Sequence, residues 1–386
     1  MIVALLALIF ALPLSAQTLE IKTDPRVDLV GLVQQLAGDN SFKRERPLKD
    51  ILARFKPWRG HPVVKRLARL SKRGFGGNLP SNYAVYLTTS TPLREEYPAP
   101  AFFSDACGGR AELDAFRAEL DDFARQSGFF AWEASSASLS GALADALKRD
   151  MGRTDFEGPL VDYLGLRTWR RWTVVPSPFY PPGGSSSWVL EEKPGRPDVF
   201  VVIGPTWSRG EPPRGWEPSF GKAADIATYI WAEPIFSTAY FMYEACHPLA
   251  RAPADVCSAS PGLGNAEDCV ERQWVNAVIG RVLHLAFGPE AEGVPGYLPA
   301  PKAREALDRF LTRYEGARER YPDLVSATSE LFAPFQADKA PPDCRIVDRG
   351  RLKEEVYSRR LRYYVLSKLE RHRDPELERL RDELEK

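Results

Sequence analysis

The chain has 386 residues, 44% of them hydrophobic and 27% charged, with 52 Lys and Arg against 52 Asp and Glu. This is ordinary globular composition, with ample length for a core in one large or two intimately packed domains. The balanced charge supplies no field to attract nucleic acid or an anionic membrane, so no nucleic-acid partner is expected.

Ile2 to Ala16 is apolar and uncharged, stops at a small residue and gives way to Gln17-Thr18-Leu19-Glu20. That pattern predicts a secretory signal over residues 1–16 and an exported, periplasmic or extracellular protein. A membrane anchor is the alternative, because no Lys or Arg precedes the run and Leu14 is large for its place before the cut. Lipid attachment is not expected, since no Cys stands at the cut. No second apolar run is long enough to cross a bilayer, so no integral membrane segment is expected after signal removal. Residues 17–335 are read as the main domain and 336–386 as a charged helical extension.

Asp24-Pro25 is an N-cap with proline at the first helical position; Val27, Leu29, Val30, Leu32, Val33 and Leu36 follow, and Gly38 ends the helix. A second helix is predicted from His61 through Leu70, with Val63, Val64, Leu67 and Leu70 on one face and Gly74 as the stop. The basic stretch Lys43–Arg73 reads as a solvated helix face. Asn82–Thr88 alternates and is rich in Tyr and Val, which predicts a strand. Ala111–Gln126 has helical spacing at Leu113, Phe116, Leu120 and Phe123.

Beyond Tyr163 come short runs of β-branched and aromatic residues at Arg167–Val175, Ser187–Glu191 and Asp198–Ile203, parted by clusters such as Pro181-Pro182-Gly183-Gly184. These are predicted strands. Helices return around Ile235–Ala250, Glu267–Phe287, Lys302–Arg318 and Leu352–Glu370. Helices before and after a small sheet predict an α+β domain.

The segment that bears on chemistry is Phe236-Ser237-Thr238-Ala239-Tyr240-Phe241-Met242-Tyr243-Glu244-Ala245-Cys246-His247-Pro248. In H-E-x-x-H, residues four apart share a helix face, so two imidazoles reach one zinc while the Glu acts on the metal-bound water. Glu244 and His247 hold the second and fifth places of that frame, and Tyr243 holds the first. An ordinary core pair also accounts for Glu and His three apart. Cys246 beside His247 does not make a thiol dyad, because adjacent helical side chains point about 100° apart. His284 falls on the helix face opposite Glu271, His61 opens a helix where capping or packing is its expected role, and His372 lies in the charged tail. There is no G-x-S-x-G elbow, P-loop or dinucleotide fingerprint.

Five cysteines (Cys107, Cys246, Cys257, Cys269, Cys344) allow two disulfides and leave one thiol over. Cys257 and Cys269 flank a Ser/Pro/Gly/Asn-rich loop and are the expected pair, worth about 3 kcal/mol in the chain-entropy model.

Several motifs resemble the DUF4932 family of exported bacterial proteins: Asp24-Pro25-Arg26-Val27-Asp28-Leu29, Leu36-Ala37-Gly38, His61-Pro62-Val63-Val64, Phe116 with Phe123, the Glu244–His247 helix, and Trp274-Val275-Asn276-Ala277. The resemblance spans about residues 20–335. It implies a zincin-like, helix-rich domain with a small mixed sheet, a peptidase zinc site on H-E-x-x-H, and a Glu early in the next helix as third ligand. Here the first His position carries Tyr243, and the third-ligand position falls on or beside Arg272, with Glu271 adjacent.

Catalytic zinc is normally held by three protein ligands with one site open for water. His247 is one good ligand and Glu271 at best a second. A phenol must lose a proton of pKa about 10 before it binds strongly. The expectation is therefore a pseudopeptidase without a cofactor that keeps a cleft for a peptide or protein, with Arg272 replacing the metal charge beside Glu244 and Tyr243 hydrogen-bonding nearby. In zincin-like folds an edge strand borders that cleft, and Asp198–Ile203 is the expected one. Two alternatives stand. One is an active zinc peptidase using His247, Glu271 and an unidentified ligand such as Asp255, with Glu244 as general base. The other is a structural or interaction protein.

Overall fold

The computed structural model describes residues 19–38, 46–165, 171–190, 198–209, 216–232, 235, 266–291, 301–324 and 327. A short strand β1 (Leu19–Ile21) leads into helix α1 (Pro25–Ala37). The helix begins and ends as its sequence dictates: the Asp24 side chain accepts from the Arg26 N–H, and Gly38 adopts the left-handed conformation at φ 93°. Nearly all of α1 is buried, so it is a core helix wrapped by its neighbours rather than a surface one.

Helix α2 (Arg46–Phe55) and a 3₁₀ turn (Lys56–Gly60) precede α3 (Pro62–Arg73). Then come α4 (Leu79–Ala84), α5 (Ala101–Cys107), α6 (Arg110–Ser127) and α7 (Phe129–Ser135). These helices and α1 pack one hydrophobic cluster around Leu29, Leu32, Leu67, Phe103, Phe116 and Phe123. On the basic face of α3, Arg66 pairs with Glu112 and Glu119 of α6, and Arg69 with Glu112.

Asn82–Thr88 is not a strand. Asn82, Tyr83 and Ala84 close α4, a turn follows, and Leu87 makes only an isolated bridge to Glu95. The whole run Pro80–Leu87 is buried, so its alternating chemistry does not mark two faces. Pro80 at the head of α4 favours the helix start, and the carbonyls of Val85 and Leu87 that a strand would use are taken by Arg26.

Helices α8 (Ala137–Met151) and α9 (Gly158–Leu164) precede the sheet strands β2 (Arg171–Pro176), β3 (Ser185–Leu190) and β4 (Asp198–Ile203). A hairpin of β5 (Thr206–Arg209) and β6 (Trp216–Ser219) stands apart. Helix α10 spans 223–232, and α11 (Ala266–Phe287) and α12 (Pro301–Gly316) follow.

The main sheet has the order β1-β2-β4-β3. β1, β2 and β4 run parallel, and β3 is antiparallel to β4. Trp172, Val174, Val199, Val201 and Ile203 face a second cluster built with α8 to α12; Val175, Trp188, Phe200 and Val202 face the first. Strand alternation thus divides the apolar residues between two helical layers. The domain is α+β, helix-rich with a small mixed sheet.

β4 is interior, which corrects the expectation that Asp198–Ile203 is the border strand. Its run Val199-Phe200-Val201-Val202-Ile203 is apolar on both faces, as a strand covered on both sides requires. Among the described strands the edges are β1 and β3, and the serines Ser185, Ser186 and Ser187 could have signalled the second.

Candidate functional site

The expected catalytic segment lies outside the described residues: Tyr243, Glu244, Cys246, His247, Asp255 and Cys257 are all in 236–265. Glu271, Arg272 and Cys269 belong to α11, with side chains outside the described set. Cys344 and His372 also fall outside it. Among the described residues no group of three His, Cys, Asp or Glu side chains could hold a metal ion. Likewise, no described helix is long and apolar enough to cross a membrane.

What the structure does place is the frame on either side of that segment. Ile226, Ile230, Trp231 and Ile235 before it, and Trp274, Val278 and Val282 after it, are buried in the second cluster. The chain therefore leaves and re-enters the same helical layer. Over that layer the terminal strand β3 presents Ser185 and Ser187, opposite Ile203 and Val201, and both serines are only half-buried. On its other face β3 is tied down: Ser186 donates to Asn82 Oδ1 at 2.9 Å and the Trp188 indole to the Tyr86 hydroxyl at 2.8 Å.

At the carboxyl ends of β2 and β4 the backbone turns tightly. Gly204 is pressed so close to the Tyr180-Pro181 carbonyls that a Cβ there would meet the Pro181 oxygen at 2.0 Å. Only glycine fits such an approach.

Beside this end sits a buried polar group from the head of α1 that motif reading had grouped only by resemblance. Arg26 donates through Nε and Nη2 to the Asp24 carboxylate, the latter at 2.6 Å, and through Nη1 to the carbonyls of Val85 at 3.0 Å and Leu87 at 2.7 Å. Burial opposes the Arg26 charge, but the Asp24 carboxylate outweighs it and holds the guanidinium above its ordinary pKa. Asp28 accepts from the Ser177 hydroxyl at 2.5 Å, and burial pushes its carboxyl up to about 8. Apart from the Arg26–Asp24 pair, these contacts join residues 59 to 149 positions apart, so spacing could not reveal them.

His61 both caps α3 and packs, the two roles expected of it. Its Nδ1 accepts from the Val63 N–H, its Nε2 lies 3.3 Å from Asp122, and its ring stands edge-on to Phe123. His284 is exposed on α11. Cys107 is a buried free thiol whose pKa burial raises far above neutrality, which makes it inert. A cavity of about 280 Å³ between α1 and α2 is lined by Leu36, Leu52 and Ala53 with Lys49, Lys56 and Arg59 at its rim; none of its lining residues is a carboxylate, imidazole or thiol.

In comparisons with known proteins, no family model, no curated protein and no solved structure matches the chain.

Proposed function

We propose that this protein is an exported, zincin-like metallopeptidase homologue of the DUF4932 type that has lost catalysis and holds an extended peptide or protein segment along β3. One observation carries the reading. The antiparallel edge strand offers half-buried Ser185 and Ser187 on the face whose helical layer anchors both ends of the Glu244–His247 segment.

The outermost strand of a sheet is where an extended segment can add by backbone hydrogen bonds, and small side chains leave room for those of a ligand. The donor set argues against catalytic zinc: His247 and, at best, Glu271 fall short of three ligands, with Tyr243 where an imidazole is needed. No reaction step is therefore assigned to a metal. In this reading Arg272 supplies the charge that offsets Glu244.

Elemental analysis of the mature protein, produced in an oxidising compartment without a His tag and dialysed against trace zinc, tests the loss of catalysis. No bound zinc and unchanged folding in chelator are expected. About one zinc per chain, lost in His247→Ala, would instead favour the active peptidase. The binding half is tested by screening extended peptides and repeating the best with N-methylated backbones. Methylation should abolish binding, and a screen without binders would leave a structural protein.

A further inference from the structure

Asp28 joins three pieces of chain at one point. Its Oδ1 accepts from the Ser177 hydroxyl at 2.5 Å. Ser177 follows β2 directly; its N–H donates to the Ile203 carbonyl at the end of β4 at 3.0 Å, and its Oγ accepts from the Phe179 N–H at 3.3 Å. One turn along α1, a Cβ on Gly31 would meet the Phe179 Cβ at 2.6 Å, so the helix lies against this corner at backbone contact. Asp28 is 4% exposed and Ser177 1%.

The charged and polar groups around Asp28 give its ionised form little support. From its own helix and cap, Arg26 is engaged with Asp24 and with the carbonyls of Val85 and Leu87. Asp24 and, from α7, Glu133 add negative charge. From α4, Asn82 is bonded to Ser186 and Tyr83 to Glu95. From the sheet comes the single Ser177 donor. Among the described residues, an ionised carboxyl here would be desolvated beside two like charges, with one side-chain hydrogen bond and no cation of its own.

We propose that Asp28 is a proton-operated latch: neutral, it fastens α1 to the joined carboxyl ends of β2 and β4, and losing its proton it lets them part, so this corner is tightest in acid. The inference does not depend on the peptide-binding reading, although the latch sits where β4 sets off toward the Glu244 segment.

The direction follows from linkage. In the closed state burial raises the carboxyl to about 8. Once opened to water it returns to about 4. Between those values the closed state binds one proton more than the open state. The opening constant should therefore rise about tenfold per pH unit from about 4 to about 8 and be level outside that window. An exported protein meets the pH of its surroundings directly.

Native-state hydrogen exchange at the Ser177 and Phe179 amides, corrected for intrinsic rates, tests this between pH 5.5 and 7.5, above the range of ordinary carboxylates. The wild type should open about 100-fold more often at the upper limit than at the lower. Asp28→Asn keeps an acceptor for Ser177 without a titrating group, and its opening should be level. Every other titrating group is unchanged in the variant, so any contribution from the rest of the molecule cancels in the comparison. The Asp28 side-chain carbon, followed by NMR in the wild type, gives a second reading that needs no variant, with a midpoint near 8 expected. Equal slopes in both proteins, or a carboxyl midpoint near 4, would overturn the latch.

Discussion

Asp24 serves the chain twice, capping α1 through the Arg26 N–H and clamping the Arg26 side chain. Arg26 then reaches across to Val85 and Leu87, so one guanidinium supplies the turn after α4 with the donors a sheet would otherwise provide. Arg26→Ala leaves Asp24 buried without its cation and two carbonyls without donors. Breaking a buried pair from one side costs about 3 to 5 kcal/mol. Urea unfolding of the variant should show a loss of that size; an unchanged midpoint would mean the clamp is not structural. The N-cap could be read from Asp24-Pro25, because capping acts over two residues. The carbonyls that Arg26 holds and the hydroxyl on Asp28 could not, since they lie in segments that meet α1 only after collapse. Glu157 belongs here as well: burial first, then Asp155, raise it to about 7, so its ionisation should weaken the fold as pH rises from its ordinary range through 7.

Among the strands, position in the sheet follows what each face must cover. β4 is apolar on both faces and sits between β2 and β3; β3 carries serines and takes one edge. The tight corner after β4 makes its own prediction. Gly204→Ala places a methyl group 2.0 Å from the Pro181 oxygen, which must move. Overpacking of this kind costs about 1 to 3 kcal/mol, and the denaturant midpoint should fall accordingly. An unaltered midpoint would show that Pro181 yields freely. Helix limits such as His61 to Gly74 were visible in the sequence because caps and stops are local. Asn82–Thr88 is not a strand because alternation of residue types signals one only when one face is wet, and here every position from Asn82 to Leu87 is buried.

The sheet is shared by both hydrophobic clusters, with Val201 on one side and Val202 on the other. The two layers should therefore unfold together. Val201→Ala and Val202→Ala each remove buried methyl groups, worth about 2 kcal/mol with the cavity they leave. Both should lower one common transition, coincident by far-UV circular dichroism and tryptophan fluorescence; separate transitions would mean that the layers are independent domains.

The linear chain was enough for the α+β class and the capped helices, because composition and caps are properties of neighbours or of single side chains. It was silent on which strand forms the edge, on what Arg26 holds and on the proton that Asp28 keeps. Those depend on burial and on contacts up to 149 residues apart, which exist only once the helices have closed on both faces of the sheet.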